Sequence, residues 1–135
     1  MRFSFPKSEK LCKLAHIQQL FSEGESVQSF PLKMIFTPID GLNVPFQLLV
    51  SVPKKGVKKA NKRNRIKRLI RESYRLQKHF LVQNTSQSYA LALIFTGKEM
   101  PDYELISQKV IRCFEKFTEA VNQKTKTLSS VENKP

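Results

Sequence analysis

The sequence predicts an α+β fold, one β-sheet with helices packed on it, and three observations carry that prediction. Apolar residues recur at helical spacing in three stretches, near 14–21, 66–81 and 105–121. Three other stretches, 32–37, 46–52 and 89–96, are short apolar runs bounded by Pro, Gly or Ser, as strands are. Their order, helix–strand–strand–helix–strand–helix, is that of a single layer of strands covered by helices. At 135 residues, 40% apolar and with ten Phe, the chain suffices for one cored domain and not for two.

The elements follow in order. Residues 1–10 alternate aromatic and polar types around Pro6 and read as an extended arm. Leu14, Ile17, Leu20 and Phe21 share a helix face, and Gly24 can end that helix, which gives a first helix over about 13–23. Strands follow at 32–37 and 46–52, joined through a turn at 38–45 that contains Gly41 and Asn43, and 27–29 can add a short extra strand. Pro53 and Gly56 break the chain before a long helix reaching about residue 81. A polar loop at 83–88 leads to 89–96, apolar on both faces and so a central strand. Asp102 is placed to cap a last helix whose stripe is Leu105 or Ile106, Val110, Phe114, Phe117 and Val121. One domain therefore spans 1–122, and the polar residues 123–135 read as a frayed, disordered tail.

Charge is concentrated in one segment. Residues 54–78 hold twelve of the 24 Lys and Arg and one of the eleven acids, Glu72, so the segment carries +11 of the formal +13. At about 100° per residue, Ile66, Leu69, Ile70, Ser73, Gln77, Phe80 and Leu81 fall on one side of the helix. Asn64, Lys67, Arg68, Arg71, Arg75 and Lys78 fall on the other. Lys58, Lys59, Lys62 and Arg63 scatter around the axis, which fits a start of the helix beyond the core or a preceding loop. A solvated helix face normally mixes acids with its bases at i,i+4, and this one has only Glu72 to offer. A polyanion is the implied partner, with nucleic acid first: guanidinium forks bind phosphate bidentately, and the Asn64 amide can reach a phosphate, a 2′-hydroxyl or a base edge. A membrane surface fits less well, because the apolar stripe is needed by the sheet.

At these residues the chain resembles the protein subunit of bacterial ribonuclease P. The resemblance rests on Arg63–Asn64–Arg65, then Lys67–Arg68, Arg71 and Glu72, preceded by Ser51–Val52–Pro53–Lys54–Lys55, with Lys10–Leu11, Phe21 and Gly24 matching the first helix. It covers about residues 7–120. It implies a two-layer α-β sandwich, one mixed sheet of three to four strands with three helices and a left-handed β-α-β crossover, against the usual hand. It also implies that an RNA subunit with bound Mg²⁺ cleaves the 5′ leader from precursor tRNA, while the protein holds that RNA and grips the leader in a cleft between first helix and sheet. Carried over, Lys54, Lys55, Lys58, Lys59, Lys62, Arg63, Asn64, Arg65, Lys67, Arg68 and Arg71 become RNA contacts, and Ile17, Phe21, Phe36 and Phe46 become cleft walls. Taken singly, each of those Phe residues would read as core. Ile17 stands where many members have an aromatic, Asn61 replaces an apolar residue, and the loop before the basic helix is one residue longer than the common form.

The remaining residues offer no chemistry of their own. The acids are dispersed, His16 and His79 lie 63 positions apart and read as surface residues, and no metal-ligand spacing occurs. No catalytic residue, metal or cofactor is expected on the protein itself. Cys12 and Cys113 form no framework, which favours a reduced, cytoplasmic setting, and no run of about 18 apolar residues exists to span a membrane. The sequence carries no signal for a protein partner. A stand-alone, ribosome-associated RNA-binding module is the alternative function.

Overall fold

The computed structural model describes residues 9–42, 44–84 and 87–132. Seven elements follow one another: α1 (Leu14–Glu23), β1 (Glu25–Ser29), β2 (Leu32–Pro38), β3 (Phe46–Ser51), α2 (Ala60–Asn84), β4 (Tyr89–Phe95) and α3 (Tyr103–Glu132). The sheet has the order β1-β2-β4-β3. β4 lies in the middle, antiparallel to β2 and parallel to β3, so α2 is the crossover between two adjacent parallel strands. The expected fourth strand is present and longer than 27–29. It forms a hairpin with β2 through a turn at Phe30 and Pro31.

Strand alternation divides the sheet into two unequal faces. Leu32, Met34, Phe36, Phe46, Leu48, Val50, Tyr89, Leu91, Leu93 and Phe95 point to α2 and α3 and form the main core with Ile66, Ile70, Tyr74, Ile106, Val110, Phe114 and Phe117. The other face carries a smaller cluster of Leu11, Leu20, Ile39, Ala90 and Ala92, lidded by α1, with Ile17, Ile35, Leu49 and Ile94 only partly covered. Two helices thus close one face, and a single ten-residue helix leaves the other partly open.

Helix α2 meets the core differently from the sequence pattern at two places. Phe80 is 38% exposed, while Tyr74 is fully buried and packs edge-on against Phe114 at 6.2 Å. A tyrosine's aromatic body fits the core as well as a phenylalanine's, so the helical wheel alone ranks them wrongly. Between α2 and α3, Gln77 donates to Ser107 Oγ at 3.0 Å and to Ser73 Oγ at 3.2 Å, which satisfies a polar row inside an apolar seam. Lys78 does not join the outward strip; its ammonium meets Glu9 at 2.8 Å and ties the N-terminal arm to α2. The arm then runs along the sheet edge, with the Leu11 N–H donating to Leu48 O at 3.0 Å.

The terminal elements follow their caps. Asp102 Oδ1 accepts from the Leu105 N–H at 2.8 Å, as its N-cap place required. Helical backbone continues to Glu132, well past Asn122, where the sequence reads as a frayed tail, and 133–135 lie outside the described residues. Gly24 ends α1 in an extended conformation (φ −68°, ψ 149°) and not in the left-handed one typical of glycine caps. Its need for glycine is steric, because a Cβ there would lie 2.2 Å from Leu20 O and 2.7 Å from Ile35 Cγ2. Gly24→Ala is expected to lower stability by about 1–3 kcal/mol, as overpacking does, measurable by urea unfolding.

Candidate nucleic-acid interface

The basic segment folds as a loop followed by a helix. Strand β3 ends at Ser51, and Val52 and Val57 are buried anchors that bracket an exposed loop. Backbone bonds from Gly56 and Val57 to Pro53 O, both 3.3 Å, close it. Lys54, Lys55, Lys58 and Lys59 stand exposed on this loop, and Lys62 on the first turn of α2, so the residues that scattered around a helical wheel belong to a loop and a helix start.

Arg63 has a structural use besides the one the motif implied. Its Nη1 donates to Val57 O at 2.9 Å and to Lys58 O at 2.7 Å, and the residue is half-buried. It clamps the lysine loop onto the helix, so it positions the interface from inside. Nothing in a sequence marks a backbone carbonyl as an arginine's partner, which is why this role was not legible.

Asn64, Arg68, Arg71 and Arg75 follow at i, i+4, i+7 and i+11 and line a shallow groove with Glu72. They cover about 16 Å of helix at 1.5 Å per residue. The carboxylate of Glu72 accepts from the Arg75 guanidinium through both oxygens. That bond holds the Glu72 carboxyl below the ordinary range, against the opposing effect of desolvation. Arg75 is therefore held in place by the one acid of the segment, while Arg65, Arg68 and Arg71 project from the exposed face of α2. Lys67, beside them, is partly covered.

The electrostatics of this face are uphill until an anion arrives. The N-terminus of a 25-residue helix carries the positive end of the helix dipole. Its first turn contains no acid, and Lys58, Lys59 and Lys62 crowd it. Only the Lys62 N–H finds a side-chain acceptor, Asn61 Oδ1 at 2.9 Å, among the described first-turn donors. Phosphate supplies what is missing, both acceptor oxygens and countercharge.

Of the four residues expected to wall a cleft, two lie in the core. Phe36 and Phe46 are 3% and 2% exposed and lie on the closed face of the sheet, against Phe117 at 4.7 and 6.2 Å between ring centroids. They are core and cannot wall a cleft. Their neighbours one position along point the other way. Ser26, Ile35, Ala92 and Leu49 form one row across the open face, and Gln28, Lys33, Ile94 and Ser51 the next. Ile17 is part-covered beside them, and Phe21 stands 50% exposed near the end of α1. These rows make an apolar floor with Lys33 and the Ser51 hydroxyl at one end, the end at which β3 passes into the lysine loop. Lys33, Ile35, Leu49, Ser51 and Ile94 line this face in their place, and period-two alternation in L-K-M-I-F-T and F-Q-L-L-V-S is the signal that separates them from the core set. His16, read as a surface residue, is part-buried, and its Nδ1 lacks a hydrogen-bond partner.

Among the described residues no three His, Cys, Asp or Glu cluster as metal ligands, and no helix is long and apolar enough to cross a membrane. Burial pushes the Cys113 thiol up to about 11, which keeps it an inert core residue. A sheet backed by two helices, one presenting an acid-poor basic strip and loop, defines a small polyanion-binding α+β protein.

Comparison with known proteins narrows that class. The family model described as Ribonuclease P matches residues 5–118. The ribonuclease P protein component of Porphyromonas gingivalis is 38% identical over 110 residues, covering 78% of this chain and 80% of that protein. The one from Chlorobium phaeobacteroides is 32% identical over 123 residues, covering 81% and 84%. The fold matches the solved RNase P protein of Staphylococcus aureus with a TM-score of 0.67 at 23% identity, covering 81% of this chain and 94% of that one. The chain belongs to the ribonuclease P protein family, and so to the RNA-binding proteins of tRNA processing.

Proposed function

We propose that this protein is the non-catalytic protein subunit of ribonuclease P, the endonuclease that removes the 5′ leader from precursor tRNA, and that it works in the cytoplasm. The observation that carries the reading is the acid-poor face built by the lysine loop and α2, which Arg63 holds in one piece. Lys54, Lys55, Lys58, Lys59, Lys62, Asn64, Arg65, Lys67, Arg68 and Arg71 form the surface that holds the RNA subunit, with Arg63 as its internal brace. The open sheet face beneath α1, with Ile17, Phe21, Ile35, Leu49 and Ile94, receives the single-stranded leader. An apolar floor beside a basic rim suits unpaired nucleotides.

Catalysis in this division belongs to the RNA with its Mg²⁺. The protein contributes charge neutralisation and position. Covering phosphates lowers the Mg²⁺ needed to hold the RNA in its working form, and leader contact separates precursor from product, because only the precursor offers that segment. Adding the protein to a ribonuclease P RNA and precursor tRNA at low Mg²⁺ is expected to raise the cleavage rate strongly. An unchanged rate, with the protein shown to bind the RNA, would leave a stand-alone RNA-binding role in its place.

A further inference from the structure

Beyond the anchoring face and the leader groove, a third surface sits at the end of the sheet where β1 turns into β2 and β4 runs toward α3. It is a cavity of about 720 Å³ whose walls include Phe30, Phe95, Met100, Leu105, Lys98 and Lys109. Phe30 is 66% exposed, and Met100 and Leu105 are 39% and 36% exposed, so the apolar wall faces water. Phe30 sits on a braced hairpin. The next residue's carbonyl, Pro31 O, accepts from the Thr96 N–H at 2.7 Å and from Thr96 Oγ1 at 3.1 Å. Gly97 packs so tightly there that a Cβ would lie 3.0 Å from Pro31 Cβ. A ring presented on a fixed turn costs little to order when a ligand lands on it.

The surroundings say what lands. The cavity's ionisable lining is two lysines against one acid, Glu99. The lysine loop is its direct neighbour, since a Cβ on Gly56 would come within 2.9 Å of Gly97 O. An RNA strand that follows Lys54, Lys55 and Lys58 is thus led to the mouth of this cavity with its phosphates already neutralised. Exposed aromatic, apolar walls and a cationic rim together fit one chemistry, an unpaired nucleobase with its flanking phosphates. We propose that this groove takes an unpaired base of the ribonuclease P RNA subunit, stacked on Phe30, as a contact separate from both the α2 strip and the leader groove. The proposal rests on the anchoring role given to the lysine loop and α2.

The chain has no tryptophan, so Phe30→Trp places a single fluorophore at the site. Its emission is expected to be quenched when the RNA subunit is added, at affinity near wild type. Phe30→Ala is expected to weaken binding of the RNA subunit about tenfold, with the thermal melt unchanged because the ring lies outside the core. If Phe30→Ala does not fold, Lys98→Ala with Lys109→Ala carries the affinity test. Wild-type affinity for these variants together with an unquenched tryptophan overturns the proposal. So does a loss confined to precursor tRNA binding by the assembled enzyme, which would put a substrate base in the groove. A change in sedimenting mass in place of RNA affinity overturns it too, by making the groove a protein contact. Arg68→Glu with Arg71→Glu separates the two readings: if that pair loses RNA binding while Phe30→Ala does not, only the groove proposal fails.

Discussion

Arg68→Glu with Arg71→Glu is expected to weaken binding of the ribonuclease P RNA by about two to four orders of magnitude. Each arginine projects from the exposed face of α2, next to a groove whose acid is already taken by Arg75. A charge-assisted hydrogen bond contributes about 1.5–3 kcal/mol, and losing two of them gives the range. Reversal also changes the slope of log affinity against log salt by about two, because two phosphates keep their counterions. The same change in net charge at Arg112 and Lys116 on α3 should do far less, since these sit outside the segment that holds the charge excess. Filter binding across a salt series reads both quantities. Equal losses for the two pairs would show that overall charge, and not the α2 face, sets the affinity.

Phe117→Ala is expected to cost about 3–5 kcal/mol of stability, the range for removing a buried aromatic. Phe117 is fully buried, and its ring meets Phe36 at 4.7 Å, Tyr89 at 5.1 Å and Phe46 at 6.2 Å. It is the residue by which α3 grips β2, β3 and β4 at once. Against a typical total of about 5–15 kcal/mol, such a loss leaves little margin. Urea unfolding followed by circular dichroism measures it. At temperatures where the variant stays folded, RNA affinity should be near wild type, because no ring of this cluster faces the basic surface.

That cluster also shows where reading residues in sequence order succeeds and where it stops. All three helices and the strands at 32–37, 46–52 and 89–96 were legible, since apolar period and turn residues agree in each. Which side of a strand faces which helix was not. In β2 and β3 alternation separates a wholly apolar set, Leu32, Met34, Phe36 and Phe46, Leu48, Val50, from a mixed one, but it does not say which helices cover which set. The larger rings of Phe36 and Phe46 went to the face closed by two helices, where more volume must be filled. The basic face was legible because charge excess needs no partner to be seen. The parts that depend on a distant partner were not: Lys78 looks outward until Glu9, 69 positions away, is brought to it. A nearer case is Arg63, whose brace to the carbonyls of Val57 and Lys58 depends on how the loop folds back.

The uneven placement of charge has a consequence in time as well as in affinity. A body with +11 on one segment and near neutrality elsewhere carries a strong permanent dipole. In the field of a polyanion such a body is expected to rotate before it touches, so that most encounters arrive with the lysine loop and α2 leading. That torque acts over about one Debye length, roughly 8 Å at physiological salt, and shrinks as salt rises. Capture of the RNA should therefore slow with ionic strength, because more collisions then begin wrong way round.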